Sequence, residues 1–374
     1  MGKSERNIGL DVLRAAAILG VFLCHGVDMR IRGVDLFESL GSGVELFFVL
    51  SGFLIGRIYF RSAGPGFSFW SFWRSRWWRT LPPYLATILL YLVMWRVYPG
   101  LGPIHWYYGL FAQNYVGING FGPSWSLCVE EHFYLLLPIA GFAISRLLGF
   151  KSFYYALPVA FLVPLGLRLA LIPSAHLPKQ WFWFTHLHCD GLIAGVWLAF
   201  LYVHDRGLWT RIKKPALWLL PVSPVVVLIL PWATHTRLLD MVVNTFYALG
   251  YAAWVRCLYD LRWPARTMPS RLGRWLATGI ALCSYSVYLT HTIFDPWIRN
   301  GVLGSMHRGV GKTVLVLAST FLLGIIFYFL IERPTIISRD RLLKQRRKES
   351  IGSGGKAVVI AAQPISDAEV DGTA

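Results

Sequence analysis

The sequence of 374 residues is poor in charge: Asp, Glu, Lys and Arg together make up only 15% of it. A soluble domain carries roughly 25% charged residues to cover its surface. Hydrophobic residues amount to 55%, and 17 Trp, 17 Tyr and 24 Phe are among them. The shortage of charge excludes a soluble enzyme, and the excess of apolar side chains excludes a disordered chain. The composition therefore predicts a multi-pass protein of a lipid bilayer.

Cysteine is scarce too, and the five cysteines lie far apart inside apolar stretches without a CxxC pair. This spacing indicates neither a disulfide framework nor a zinc site. No HExxH motif occurs, so we expect no metal. The net charge of +17 is typical of nucleic-acid binding proteins, but here the basic residues are scattered in short segments. We expect no nucleic-acid partner.

Long apolar runs are what the sequence does contain. A membrane span needs roughly 20 mostly apolar residues. The runs of this length are 8–27, 41–60, 80–98, 124–148, 152–172, 183–203, 215–233, 240–260, 275–296 and 311–331. Pro82 and Pro83 suit the opening turn of the third run. Three prolines (Pro221, Pro224 and Pro231) predict that the seventh is a kinked helix or two half-helices.

The distribution of positive charge predicts the orientation of these spans. Lys and Arg are about four times as frequent in the connecting segments on the N-terminal side as in those on the other side, which places both termini in the cytoplasm. We therefore predict an all-α bundle of about ten spans. Residues 1–335 form the membrane domain, and residues 336–374 form a cytoplasmic tail that is first basic and then disordered. No internal repeat is visible, which argues against an inverted-repeat transporter.

Ionisable side chains inside membrane spans are costly and are therefore candidate functional residues. In the first span, Arg14 and His25 are eleven residues apart, which places them on one helix face about 16 Å from each other. They can hold the two ends of one long ligand. A snorkelling Arg near one membrane surface and an interfacial His near the other would occupy the same positions.

The other ionisable candidates are Glu130 and Glu131 in the fourth span, Asp190 in the sixth and His291 in the ninth. The predicted topology places all four at a depth similar to that of His25. This coincidence predicts a polar pocket that opens towards the non-cytoplasmic half. Taken singly, Asp190 fits an ion pair with an Arg or a His equally well, and His291 fits a hydrogen-bonded core residue.

Arginines and aromatic residues alternate immediately before the third span, in the segment 72–79. Positive charge within an aromatic belt explains this pattern on the cytoplasmic side of any membrane protein. A phosphate clamp explains it as well, because Arg binds phosphate through two parallel hydrogen bonds. Together with Arg14, these arginines would attract a phosphorylated cytosolic ligand.

In this order along the chain, these motifs resemble those of the acyltransferase 3 family of integral membrane acyltransferases, up to about residue 335. The matching residues are Arg14 and His25, Phe47–Ile55, Arg76 and Arg79, Trp125–Leu127 with Glu130 and Glu131, Tyr285–His291, and Glu332–Pro334. The resemblance implies transfer of an acyl group, usually acetyl, from cytosolic acyl-CoA to a hydroxyl of a carbohydrate or glycosylated acceptor. It also implies a location in a bacterial inner membrane.

The resemblance assigns the essential base to His25 and the binding of the acyl-CoA donor to Arg14, Arg76 and Arg79. A neutral imidazole suits the role of base because its pKa lies near physiological pH. A carboxylate, Glu130 or Glu131, would then hold the tautomer of the imidazole.

Binding of the substrates would fall to four further residues, which are Ser51, Asp190, Tyr285 and His291. Ser51, Tyr285 or a backbone N–H can serve as the oxyanion donor. The family more often has an Arg two residues before Asp190, whereas this chain has His188, and that difference leaves the role of Asp190 open.

Two other functions fit part of the pattern. A proton-coupled solute transporter would use the His, Glu and Asp residues as a proton relay, but it leaves the arginine and tryptophan cluster unexplained. A covalent acyl intermediate would use Cys24, Cys128 or Cys189, although such cysteines are more typical of small apolar packing residues.

Overall fold

The protein is a bundle of α-helices. The structure, a computed structural model, describes residues 6–27, 30–31, 34–35, 37–64, 66–171, 182–230, 237–264, 267–307 and 309–341. The helices are α1 (Ile8–Gly26), α2 (Gly43–Ser62), α3 (Phe69–Val97), α4 (Gln113–Val116), α5 (Ser124–Leu147), α6 (Phe153–Leu171), α7 (Asp190–His204), α8 (Arg206–Arg211), α9 (Lys213–Leu219), α10 (Val222–Ile229), α11 (Arg237–Leu258), α12 (Met268–Pro296) and α13 (Val310–Phe327). The strands β1 (Arg30–Ile31) and β2 (Val34–Asp35) form a small antiparallel pair. The all-α prediction is otherwise confirmed.

Seven helical segments of the described chain are long and apolar enough to cross a membrane, and they confirm a multi-pass protein. These segments are Ile8–Gly26, Glu38–Ser62, Phe69–Val97, Ser124–Leu147, Phe150–Ala170, Leu238–Leu258 and Val310–Arg341. The remaining three predicted spans correspond to α7, with 15 residues, to the broken pair α9 and α10, and to the less apolar α12. Pro221 lies between the two halves of the broken pair, as its position predicts.

Helix α3 begins eleven residues earlier than the sequence predicts. Ser68 caps it by accepting a hydrogen bond from the backbone N–H of Ser71. Pro82 and Pro83 therefore lie in the helix interior and not in its opening turn, a position that membrane helices tolerate. As a consequence, Arg76 and Arg79 lie one turn apart on the same helix face.

Helices α2 and α7 are in very close contact. A Cβ atom on Gly52 would lie 2.1 Å from the carbonyl oxygen of Leu192, and one on Gly195 would lie 2.2 Å from that of Val49. Gly52 is followed by Gly56, and Gly195 is preceded by Gly191, so both helices have the small-residue spacing that lets backbones approach in membranes. Helix α1 packs against both α2 and α12, and α12 packs against α13.

The predicted boundary at residue 335 does not coincide with the end of a helix. The last helical segment continues through a π-helical stretch, Tyr328–Glu332, as far as Arg341. It therefore includes the first six residues of the segment predicted as a tail. The rest of that segment, 342–374, lies outside the described residues.

Candidate active site

A cavity of about 100 Å³ lies among α1, α2, α3, α5 and α12. This volume is sufficient for several water molecules or a small acyl group, since one water needs roughly 10–15 Å³ by this measure. The residues that line it are Arg14, Val44, Phe47, Phe48, Leu50, Ser51, Leu54, Arg76, Arg79, Thr80, Ser126, Leu127, Glu130, Ser284, Tyr285 and Tyr288. The three arginines that the sequence predicts to bind one ligand thus do line one cavity, and Ser51 and Tyr285 line it with them.

The three arginines keep most of their donors for this cavity. Arg76 donates from Nη2 to the hydroxyl of Tyr134 at 2.9 Å, and its guanidinium lies 4.5 Å from the centre of that ring. The carboxylate of Asp11 is 3.8 Å from Arg14, but Arg6 already binds both of its oxygens. Within the described part of the chain, the Arg79 guanidinium makes no hydrogen bond. These donors remain open to an anionic ligand.

Glu130 is the acidic residue of this cavity. It lines the cavity together with Ser51, Arg76 and Arg79. Glu131 is buried beside it, near Thr80 and Trp77, and does not line the cavity. Neighbouring residues of a helix point about 100° apart, which is why only one of the two carboxylates faces the site.

His25 and His291 form a pair at the end of α1 opposite Arg14. Their ring centroids are 5.0 Å apart and their planes cross at 69°. His25 is exposed, whereas only 1% of His291 is exposed. Neither histidine lines the cavity, but Tyr288 lies between the cavity and the histidine pair. It lines the cavity, and its ring centroid is 5.7 Å from that of His291. Its hydroxyl shares a 2.5 Å hydrogen bond with Ser126 Oγ.

Backbone carbonyls determine the tautomers of both histidines. Nδ1 of His25 is 2.9 Å from the carbonyl oxygen of Val21, and Nδ1 of His291 is 2.7 Å from that of Tyr288. A carbonyl only accepts, so each Nδ1 is protonated and each neutral ring has its lone pair on Nε2. The expectation that Glu130 or Glu131 holds the His25 tautomer is wrong in this structure, because both carboxylates lie with the arginines.

Asp190 does not belong to the cavity. Arg168 binds both of its carboxylate oxygens, at 2.9 and 2.6 Å, and Thr245 donates to it at 2.8 Å. The side chains of Arg168 and Asp190 are both fully buried. Helix α7 begins only at Asp190, so His186 lies in a preceding 3₁₀ turn and does not share a helix face with it. The single pocket predicted for His25, the glutamates, Asp190 and His291 is therefore three separate clusters.

Two buried polar pairs escaped the sequence analysis. Glu45 in α2 binds His188 through a hydrogen bond between Oε1 and Nε2, and His188 Nδ1 lies 2.7 Å from the carbonyl of Phe182. Ser286 donates to Glu332 at 2.6 Å. Glu45 lies inside an apolar run that predicts a span, so its charge within that span already indicated that it needs a buried polar partner. In the residues that the structure describes, no group of three or more His, Cys, Asp or Glu side chains could hold a metal ion.

Comparison with known proteins identifies the family of the chain. Residues 7–331 match the family model Acyl_transf_3, which is described as an acyltransferase domain. The chain belongs to the acyltransferase 3 family.

The relatives of this acyltransferase 3 protein include O-acetyltransferase OatA of Staphylococcus aureus (strain NCTC 8325 / PS 47), which is 27% identical over 217 residues. The putative O-acetyltransferase SACOL0978 of Staphylococcus aureus (strain COL) is 29% identical over 216 residues. Each alignment covers 52% of this chain and 34% of the relative, so the chain spans about a third of the length of these relatives. No solved structure matches the chain.

Proposed function

We propose that this protein transfers a short acyl group, most simply acetyl, from cytosolic acyl-CoA to a hydroxyl of a carbohydrate or glycosylated acceptor. The observation that carries the proposal is the arrangement along α1: Arg14 lines a cavity with two further arginines, and His25 lies at the other end of the same helix face, where its Nε2 has no hydrogen-bond partner among the described residues. The relatives named as O-acetyltransferases support acetyl transfer to oxygen.

The arginine end suits the donor. Acyl-CoA combines several phosphates with a long, thin arm that ends in the thioester. Arg14, Arg76 and Arg79 offer planar arrays of N–H donors that match phosphate oxygens. The charge bias along the sequence orients this end towards the cytoplasm, where acyl-CoA is found. We accordingly place both termini in the cytoplasm of a cell whose inner membrane the bundle crosses about ten times.

The histidine end suits proton transfer. His25 Nε2 takes the proton of the acceptor hydroxyl while the oxygen attacks the thioester carbonyl carbon, which forms a tetrahedral oxyanion. When this intermediate collapses, the carbon–sulfur bond breaks and the leaving thiolate receives the proton from the imidazolium. Ser51 and Tyr285 both line the cavity, and either hydroxyl can turn to donate to the oxyanion.

The proposal is tested with the purified protein, acetyl-CoA labelled in the acetyl group and a panel of sugar acceptors. We expect label on an acceptor, and we expect His25→Ala to lower the rate by about 10²- to 10⁴-fold, the usual contribution of a general base. His105→Ala, at an exposed histidine outside the cavity, is the matched control. A correctly inserted His25→Ala protein with the wild-type rate would refute the base assignment. Uptake of solute into vesicles without labelled acceptor would favour the proton-coupled transporter.

The donor site has its own test. Arg79→Ala should raise KM for acetyl-CoA about tenfold, the effect of one lost charged hydrogen bond. It should leave KM for S-acetylpantetheine unchanged, because that donor lacks the nucleotide phosphates. Arg74→Ala is the control on the same helix, since Arg74 does not line the cavity. Equal effects of Arg79→Ala on both donors would exclude phosphate binding by Arg79.

A further inference from the structure

His291 has a buried nitrogen that finds no hydrogen-bond partner among the residues the structure describes. Its Nδ1 is engaged by the Tyr288 carbonyl, but its Nε2 has no hydrogen-bond partner in the described part of the chain. Leaving a buried polar atom unsatisfied destabilises a fold, and most buried polar atoms of native structures have a hydrogen-bond partner. A ligand that fills this position would remove this destabilisation.

The partner of this nitrogen has to be a hydrogen-bond donor. His291 is 1% exposed, and among the described residues it forms no ion pair with a carboxylate, so its neutral form is the stable one. With the proton on Nδ1, the Nε2 atom of His291 is an acceptor. His25, whose ring contacts that of His291, presents an acceptor of the same kind. The two rings that carry these acceptors have their centroids 5.0 Å apart.

The two histidines are held together at the ends of their helices. Arg299 follows α12 and donates to the carbonyl of Gly26, the last residue of α1, at 2.6 Å. Asp295 binds the same guanidinium through both of its oxygens, each at 2.9 Å. This bridge fixes the end of α1 to the end of α12 close to both histidines. The distance between the two rings is therefore set by the fold, so the pair can select a ligand by the spacing of its polar groups.

We propose that the acceptor substrate is recognised as a vicinal diol, with one hydroxyl donating to His25 Nε2 and the neighbouring hydroxyl donating to His291 Nε2. The inference rests on the acyl-transfer function proposed above and names the acceptor class for it. The hydroxyl at His25 loses its proton and becomes acylated. The hydroxyl at His291 keeps its proton, and no bond to it changes. Hydroxyls on adjacent carbons match two acceptors whose rings are in contact, whereas an isolated hydroxyl leaves the buried nitrogen unsatisfied.

The test uses methyl α-D-glucopyranoside, its four monodeoxy analogues and labelled acetyl-CoA, with the acetylated position found by mass spectrometry. Removing the hydroxyl next to that position should lower kcat/KM about 10- to 100-fold in the wild type, because a buried acceptor is left unpaired. Removing a remote hydroxyl should change it less than about threefold. His291→Asn keeps a donor for the Tyr288 carbonyl but has nothing at the Nε2 position, so it should lose this discrimination. His291→Gln, which can place an oxygen there, should restore part of it.

A second measurement needs no variant. Replacing the neighbouring hydroxyl by fluorine leaves a group that accepts but does not donate, so this analogue should be as poor a substrate as the deoxy compound. Turnover of the fluoro analogue at the rate of the parent would overturn the proposal, and so would discrimination that persists in His291→Asn. If the wild type labels neither these glycosides nor any sugar of the acceptor panel described above, the acyl-transfer function itself fails and the diol proposal fails with it. If it labels the deoxy and parent compounds equally, only the diol proposal fails.

Discussion

Replacing Asp190 by Asn should destabilise the protein without a specific effect on its chemistry. The structure gives Asp190 a structural partner in Arg168, whose five N–H groups are all used: two bind Asp190, and the others bind Thr245 and the carbonyls of Leu187 and Met241. An asparagine in place of Asp190 would still accept a hydrogen bond, but it would leave the buried guanidinium without a counter-charge.

The size of the effect follows from the burial and the distance. Two unit charges 2.6 Å apart attract by about 6 kcal/mol at an effective dielectric constant of 20. Part of this is retained as a neutral hydrogen bond in the variant. Breaking one partner of a buried ion pair costs about 3–5 kcal/mol in proteins, and we expect Asp190→Asn to fall in that range. The exposed pair of Arg339 and Asp340 is the control, because Asp340→Asn should cost less than about 1 kcal/mol.

The assay is thermal unfolding of the purified protein in detergent, followed by circular dichroism, together with acyl transfer per folded molecule. Asp190→Asn should unfold at a lower temperature, whereas the double variant Arg168→Met, Asp190→Leu should recover most of the loss, since an apolar pair of similar volume removes both charges. An Asp190→Asn protein with wild-type stability but no acyl transfer would refute this reasoning. It would support the predicted role of Asp190 in substrate binding.

Two further predictions concern packing and nucleophilic cysteine. Gly195→Ala should lower the free energy of unfolding by about 1–3 kcal/mol, because the added Cβ would overpack against α2. Gly166→Ala should not lower it, because a Cβ at that position meets open space. Thermal unfolding in detergent compares the two variants. The triple Ser variant of the cysteines near the predicted site residues should keep its transfer rate within about threefold, because one of the three is buried and the other two are partly buried, as is typical of small apolar packing residues. Loss of all labelled product by an inserted triple variant would favour a covalent thioester relay. These cysteines are Cys24, Cys128 and Cys189.

Sequence motifs were enough to predict the arginine cluster. Arg14 and the pair Arg76 and Arg79 belong to different helices, but each was recognisable from a motif and from its position in or beside an apolar run. The structure gathers the three at one cavity. The face shared by Arg14 and His25 likewise follows from their separation along one helix, because no knowledge of the neighbouring helices is needed.

The partners of the acidic residues were not predictable in this way. Depth in the bilayer placed Glu130, Asp190 and His25 at one level, but depth does not determine which way a helix is rotated. Rotation and tilt depend on packing against neighbouring helices, and this packing turns Glu130 to the arginines and Asp190 to Arg168. The start of α7 was also missed, since nothing in the apolar run 183–203 marks where its first turn becomes α-helical.

The shortness of α7 explains why so many charges are buried near it. A helix of 15 residues is about 22 Å long, which is less than the roughly 30 Å of a bilayer core, so if α7 is a span as the sequence predicts, one of its ends lies within the membrane. Backbone groups at such an end need polar partners. Asp190 and His188 stand at the start of α7, and their ion pairs with Arg168 and Glu45 join it to α6 and α2. That cluster is explained by folding alone. The shortness of α7 does not explain the pair of His25 and His291, because these two residues lie on α1 and α12, which have 19 and 29 residues.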